Sequence, residues 1–426
     1  MRLAYSLLLY LLTPLVLLRL LWRSRRAPAY RRRWLERFGW VRRLPTVPRI
    51  WLHAVSVGEI IAAAPLVRML QARFPEHAIL VTTTTPTGSD QVKRLFADDV
   101  AHCYLPYDLP DAVARFVRRA QPHIAVIMET ELWPNLYRQL QQRGVALLLA
   151  NARMSLRSVR GYLKVQPLTR RTLACVTQVA AQGQADAERL LVLGLPEHRL
   201  RVTGNIKFDV RIPAGLAEAG QALRVSWGQE RPVWVAASTH AGEESQLLQV
   251  HRQLLSHYPE ALLVLVPRHP ERFDQVAALC TEQGLVTARR SQQTAISTGV
   301  QVLLADTMGE LLLLYAASDI AFVGGSLIDD IGGHNPLEPA ALAVPVVTGP
   351  NWDNFAEVYP SLIQAGAAQE VDDSAALLQA LLSLFAHPDE RRVRGVAASD
   401  VVKQGRGALD RIVAMVGAIV ADSRDP

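Results

Sequence analysis

The chain has 426 residues, 50% of them hydrophobic, which is material for two or three domains of ~100–200 residues with buried cores and excludes a disordered polypeptide. Three cysteines, Cys103, Cys175 and Cys280, are odd in number, widely spaced and free of any CxxC pair. They suggest neither a disulfide framework nor a zinc site and point to a reducing compartment. Net charge is +7, and much of the excess is local: nine arginines lie between Arg23 and Arg43, while the rest of the chain is nearly balanced.

The first element is the apolar run Leu3 to Trp22, whose ~20 residues suffice to cross ~30 Å of hydrocarbon as a helix. A cleaved signal peptide would carry its positive charge before the apolar region, yet only Arg2 precedes it. The run is therefore expected to be an anchor that either spans the bilayer or lies in its interface, since Pro14 and Arg19 interrupt it. Arginines crowd its C-terminal flank, which places the remainder of the chain on the cytoplasmic face. Trp22 just before the basic segment 23–44, and Tyr30, Trp34, Phe38 and Trp40 within it, interleave with arginines, as expected of a chain lying on anionic lipid. No RNA- or DNA-binding motif accompanies the charge, so nucleic acid is not expected as a partner.

Past Pro45, short apolar runs alternate with helical patterns. Strands are expected at Ile50–Val55, Ile79–Thr83, Ala101–Leu105, Ile124–Met128, Val145–Ala150 and Val176–Ala180, with amphipathic stretches such as Ile60–Arg73 and Asp111–Ala120 between them. A polar stretch over 208–231 breaks the rhythm and reads as a linker. The alternation restarts with strands at Val233–Ala237, Leu262–Val266, Val302–Leu304, Ile320–Val323 and Val344–Val347. Two doubly wound α/β domains in series result, 45–207 and 232–400, each a parallel sheet covered by helices. A last amphipathic pattern in 401–426 has no strand after it and is expected to pack back on the first domain.

Ligands of such folds bind at the carboxyl ends of strands. Four strand-to-helix junctions stand out: Ser56-Val57-Gly58-Glu59, Ser238 to Glu243, Thr307-Met308-Gly309-Glu310 and Asn335-Pro336-Leu337-Glu338. Ser56/Glu59, Thr307/Glu310 and Asn335/Glu338 each fit a capping box, with Pro336 at the first helical position, and capping alone would explain the carboxylates. Gly58 and Gly309 argue for more, because glycine in a first turn costs ~1 kcal/mol of helix stability. It lets a ligand reach outward-pointing amides, as phosphate does. The glycine pairs Gly324-Gly325 and Gly332-Gly333 suggest the same close approach. No GxGxxG follows the first strand and no GxxxxGK[ST] occurs, so neither a dinucleotide nor a P-loop triphosphate is expected. Arg268 and His269 follow a strand directly, where an arginine grips phosphate bidentately; a solvated surface arginine is the alternative, and a structural histidine at 269 is the other.

Several motifs together resemble the Kdo transferases, membrane-associated glycosyltransferases that move 3-deoxy-D-manno-octulosonic acid (Kdo) from CMP-Kdo to lipid A precursors. They are Trp51 to Glu59 (WLHAVSVGE), Met128 to Asn135 (METELWPN), Asn151 to Ser155 (NARMS), Thr203 to Asp209 (TGNIKFD), Pro267 to Pro270 (PRHP), Met308 to Glu310 (MGE) and Gly332 to Glu338 (GGHNPLE). They run in family order through both expected domains. The resemblance implies a GT-B fold, two Rossmann-like domains with an interdomain cleft, and a reaction without metal or other cofactor. By similarity Glu59 is the general base, and Glu129 and Lys207 are transition-state stabilisers. Arg268, His269, Met308, Gly309, Glu310, Asn335, Pro336, Leu337 and Glu338 resemble the CMP site. The implied partners are CMP-Kdo, a lipid A precursor (lipid IVA) and an anionic membrane surface at the cell inner membrane.

On an extended backbone Glu129 and Glu131 would point to one face, and spacing does not choose between them. Without the resemblance Lys207 reads as a linker lysine. Arg153, Arg157, Arg160 and Lys164, three to four residues apart, would form one helical stripe facing acceptor phosphates or anionic headgroups, or a merely solvated basic face. The alternatives to Kdo transfer are a GT-B enzyme using another nucleotide sugar and an inactive membrane scaffold of the same fold.

Overall fold

In the computed structural model, which describes residues 1–25, 27–293 and 295–422, fourteen short strands make two separate seven-stranded sheets among those residues. The first contains β1 (Arg49–His53), β2 (Ala78–Thr83), β3 (Ala101–Tyr104), β4 (Ile124–Met128), β5 (Ala146–Ala152), β6 (Gln178–Ala181) and β7 (Leu200–Val202), in the order β3-β2-β1-β4-β5-β6-β7. The second contains β8 (Val233–Thr239), β9 (Leu262–Pro267), β10 (Thr287–Arg289), β11 (Val302–Leu304), β12 (Ile320–Val323), β13 (Val346–Thr348) and β14 (Ala368–Glu370), in the order β10-β11-β9-β8-β12-β13-β14. Neighbouring strands run parallel, as in the register Ile50↔Ile79 and Ile50↔Ile124 around β1.

Parallel strands covered on both faces read as continuous apolar runs, and β1 and β4 are buried at every position. Successive side chains leave a strand on opposite faces. Ile50 and Leu52 accordingly join one cluster with Leu66 and Leu70, while Trp51 joins another with Phe116 and Tyr137. The second sheet divides the same way, Trp234 and Ala236 on one face, Val233 and Val235 on the other.

The chain forms two units, Met1–Asp209 with Arg406–Pro426, and Val210–Gly405. Residues 208–231, expected as a linker, hold helix Leu216–Trp227, which belongs to the second unit. It is bounded by Gly215 at φ +77° and Gly228 at φ +114°. Gly220 abuts Ala316, where a Cβ would lie 2.6 Å from the alanine methyl, and Arg224 pairs with Asp319 at 2.9 Å. Gly220 is there for close packing.

The C-terminal pattern starts as part of helix Pro388–Gly405 in the second unit, breaks at Gly407, which sits at φ +94°, and resumes as helix Ala408–Asp422. That last helix buries Leu409, Ile412, Val416 and Ile419 in the core of the first unit. Asp209 holds its beginning, accepting from the backbone amides of Gly407 and Leu409, the latter at 2.7 Å. Arg411 Nε donates to the Thr203 carbonyl at 2.7 Å.

Part of the basic segment is committed to folding rather than to a lipid surface. Arg37 is buried, donates to the Thr84 carbonyl at 3.0 Å and stacks on Tyr104. Arg33 pairs with Glu36 at 2.8 Å and also lies over Tyr104, while Trp40 stacks with Arg115 and Arg119. Arg26, counted among the nine arginines, lies outside the described residues.

Candidate functional site

In each unit the sheet order reverses at one point: β1 lies beside β4, and β8 beside β12. The loops leaving these neighbouring strands diverge, and a crevice opens at their carboxyl ends. Both crevices carry unusual chemistry.

In the first unit Ser56 caps helix Val57–Arg73 directly after β1. The Glu59 carboxylate accepts from Val55 N–H at 2.9 Å and from the Ser56 hydroxyl at 3.0 Å, and Ser56 Oγ accepts in turn from Glu59 N–H at 3.3 Å. The capping box is therefore real. A carboxylate nevertheless has about four lone-pair sites, and these bonds occupy two. Burial raises the Glu59 pKa, partly offset by those bonds. The Gly58 position is open, a Cβ there meeting only Ser56 Oγ at 3.9 Å.

After β4 the backbone turns at Glu129, whose φ of +55° is left-handed, a conformation that costs energy for a side chain with Cβ and concentrates at functional sites. The strand has ended at Met128, so the extended alternation expected of Glu129 and Glu131 does not apply. Glu131 is pushed up to about 7 by burial, then by the charges of Glu59 and Glu129. Three carboxylates thus converge where one cap would have sufficed. Arg153 belongs to the same neighbourhood: the Thr130 hydroxyl donates to its carbonyl at 2.5 Å and accepts from its N–H at 3.1 Å.

The expected four-residue basic stripe is shorter. Helix Leu156–Leu163 begins beyond Arg153 and is capped by Ser155, so Arg157, Arg160 and Lys164 alone share its exposed face. Lys207 lies on the turn Ile206–Phe208 after β7, with its amide bonded to Asn205 Oδ1 at 3.0 Å. Asn151, buried and at φ +55°, accepts from Ile206 N–H at 3.1 Å and so fixes this turn to β5. Lys207 is in a tied loop of the first unit, not in a linker.

In the second unit Arg268 and His269 follow β9, and His240 follows β8. Their neighbours are His334 and Glu338 from the segment after β12. His240 Nε2 and His334 Nε2 are 2.8 Å apart with rings stacked, and His269 meets His240 edge-on at 5.3 Å. Burial holds His334 down at about 4, reinforced by His240, Arg268 and His269. His240 is lowered by burial, then by His269 and Arg268. Glu338 is raised by burial, with Asn335 and Arg268 pulling it back. Asn335 Nδ2 donates to Glu338 at 3.2 Å, and its Oδ1 accepts from Leu337 N–H at 3.1 Å. Pro336 precedes the short helix Leu337–Ala341 rather than occupying its first position. Arg268, His269 and the Asn335–Glu338 turn are therefore brought together. His240 and His334 join them; both lie within motifs, yet the sequence assigns neither a role.

The glycine pairs are closely packed within the unit. Glu243, wholly buried, accepts from the N–H groups of Gly325 at 2.8 Å, Ser326 and Leu327 at 3.2 Å and His240 at 3.3 Å. A Cβ on Gly324 would come within 2.8 Å of Glu243 Oε2. One on Gly333 would come within 2.9 Å of the Asn351 carbonyl. Gly324 and Gly325 wrap Glu243, while Gly332 and Gly333 pack on Asn354 and on the Asn351–Trp352 backbone.

The Thr307–Glu310 junction also differs. Gly309 adopts φ +87°, and the helix begins only at Leu311, so the amides of Met308 to Glu310 belong to a turn and not to a helix start. Glu310 pairs with Arg290 at 2.7 Å and accepts from the Thr307 hydroxyl. The Arg290 bond lowers its pKa. Met308 is exposed.

Residues 32–210 match the family described as 3-deoxy-D-manno-octulosonic-acid transferase (kdotransferase). The 3-deoxy-D-manno-octulosonic acid transferase of Haemophilus influenzae is 44% identical over 415 residues, covering 97% of each chain. The chain belongs to the Kdo transferase family. The Bordetella pertussis enzyme of the same name is 38% identical, covering 86% of each. Among solved structures, MurG of Acinetobacter baumannii aligns with a TM-score of 0.55 at 12% identity, covering 87% of this chain and all of that one, a likeness of fold alone. The transferase accordingly has the GT-B fold, with one doubly wound sheet in each unit, and it is a glycosyltransferase.

Proposed function

We propose that this transferase moves Kdo from CMP-Kdo to a hydroxyl of a lipid A precursor, lipid IVA, with inversion, at the cytoplasmic face of the inner membrane during assembly of the lipopolysaccharide inner core. The observation that carries the reading is identity to the Haemophilus influenzae Kdo transferase along both units, with distinctive side chains gathered at both sheet-reversal points.

Kdo carries a carboxylate on its anomeric carbon. As CMP departs, positive charge develops at that carbon and negative charge on the leaving phosphate. Arg268 beside His240, His269 and His334 supplies positive potential and N–H donors for the phosphate, preorganised where charge grows. Glu338 and Asn335 accept from or donate to the nucleoside, and the exposed turn Met308–Glu310 contributes its backbone to the same ligand. Glu59 takes the proton of the attacking hydroxyl. The oxygen–anomeric carbon bond forms as the carbon–phosphate oxygen bond breaks, CMP leaves with the electron pair, and Glu59 holds the proton. Burial raises the Glu59 pKa and so improves it as a base. Glu129 and Lys207 stabilise the transition state from the first unit, with Arg153, Arg157, Arg160 and Lys164 near the acceptor's phosphates. The reading assigns the reaction no metal and no other cofactor.

The test is incubation of the purified protein with CMP-Kdo and tetraacylated lipid A precursor, followed by mass analysis. A product heavier by Kdo is expected. No transfer, or thermal protection by UDP and not by CMP, refutes the reading.

A further inference from the structure

The N-terminal helix Arg2–Arg23 is long and apolar enough to cross a membrane, but its contacts give it another disposition. The residues that the rest of the protein covers wholly or partly are Arg2, Tyr5, Ser6, Leu9, Thr13, Val16, Leu17 and Leu20, with Ser24 just beyond the helix. They recur every three to four residues, one stripe running the helix's full length, about 33 Å at 1.5 Å per residue.

At the first turns the contacts are polar. The Tyr5 hydroxyl donates to Asp108 at 3.0 Å, the Ser6 hydroxyl to Asn135 at 3.2 Å, and the Tyr10 hydroxyl to Asp111 at 2.6 Å. Asp108 is itself built in, accepting from the N–H groups of Asn135 and Leu136 at 3.0 and 2.8 Å. At the last turns Val16, Arg19 and Leu20 line a cavity of about 350 Å³ whose other wall includes Val55, Thr84 and Glu131.

Both ends of the helix therefore lie on the same globular unit. A spanning helix would put its first turns on the far side of the bilayer. Asp108, Asp111 and Arg138, which face those turns, would be drawn into hydrocarbon with it, where charged side chains are expensive.

The opposite face is exposed and apolar. Leu3, Leu7, Leu11, Leu15, Leu18 and Trp22 are each about 60% exposed or more. Exposed Arg19, Arg23, Arg25, Arg31 and Arg32 border its C-terminal half. An apolar stripe edged by arginines, with its back bonded to a folded unit, matches an anionic lipid interface in both charge and hydrophobicity.

We infer that the helix lies in the plane of the membrane, its leucine face sunk into one anionic leaflet and its polar stripe fixed to the first unit, so that the protein is monotopic. The inference rests on the proposed membrane location and specifies how it is achieved. The cavity beside Glu131 then sits at the level of the lipid headgroups, where the hydroxyl of a lipid acceptor is found.

The full-length protein carrying Cys175→Ser and either Leu3→Cys or Leu18→Cys, labelled with bimane, is reconstituted into vesicles of phosphatidylethanolamine and phosphatidylglycerol with shallow or deep spin-labelled lipids. An epitope tag ahead of Met1 is probed with protease in spheroplasts and in inverted vesicles. Similar quenching at the two positions, stronger with the shallow label, and tag cleavage only in inverted vesicles are expected. Tag cleavage in spheroplasts by a protein that still floats with vesicles overturns the in-plane geometry and leaves the membrane reading standing. Failure to float, or a leucine face buried in a soluble dimer, overturns both.

Discussion

Each unit is a seven-stranded parallel sheet whose order reverses at one point and opens a crevice there, yet the crevices are furnished oppositely. The first gathers Glu59, Glu129 and Glu131, and the second Arg268, His240, His269 and His334. One kind of scaffold thus presents a cluster of carboxylates in one crevice and, in the other, an arginine among histidines, two of which burial holds toward the neutral form. The contrast lies in loops of a few residues, while the strands beneath are interchangeable apolar runs. Strain follows the same logic, for Glu129 and Asn151 in one unit and Ser238 in the other are held at φ +55° to +58° at or near strand ends.

The sharpest way to break the comparison is Glu59→Gln. If the acids of the first unit act only in chemistry, turnover falls ~10²–10⁴-fold while CMP still raises the melting temperature as in the parent. A variant that keeps its turnover, or loses CMP protection, assigns Glu59 to capping or to donor binding instead. Next in size is Glu243→Ala, which strands four N–H groups, those of Gly325 and Ser326 buried and those of His240 and Leu327 partly so. It should destabilise the second unit by about 3 kcal/mol, seen as faster hydrogen exchange there with the first unit unchanged; equal loosening of both units would deny their independence. Arg268→Ala should raise the KM for CMP-Kdo ~10–100-fold with a smaller change in kcat, since a charge-assisted bond to phosphate contributes about 1.5–3 kcal/mol. A pure kcat effect would move Arg268 out of the binding role.

The smallest effect concerns pH. Glu131 rises from 4.5 to about 7 on folding, so the fold favours its protonated form. Its contribution is fully present below pH ~4.5 and is lost as pH climbs through ~7. The loss is on the order of 2 kcal/mol after allowance for its partial exposure. Glu131→Gln should therefore flatten the decline in melting temperature between pH 5 and pH 8, and an unchanged slope would show that the carboxylates do not crowd one another.

Much of this was legible in the sequence because its signals are physical. The eleven expected strands are found, central ones such as β1, β4 and β8 being buried on both faces and so carrying runs of apolar residues. The strands that leave no such signal, β7, β10 and β14, are three-residue edges, too short and too exposed to show a period. At the sites, a capping box and a catalytic carboxylate have the same spelling, and Glu59 is the first while remaining free to be the second. Glycines were the least legible. Those at 324 and 325 serve a buried acid about 80 residues earlier in the chain, a partnership that exists only after folding. The facing of His240 and His334 is equally non-local, and nothing in either motif announces the other.

Asp209 and the helix Ala408–Asp422 carry a consequence for how the protein is made. The first unit leaves the ribosome early, but part of one face of its core, beside Leu66 and Leu70, stays uncovered until residues 406–422 arrive and Asp209 receives the amides of Gly407 and Leu409. The half synthesised first is thus the last to be completed. A nascent chain stalled before residue 406 would display a sticky apolar surface to chaperones, although its second half could already be folded.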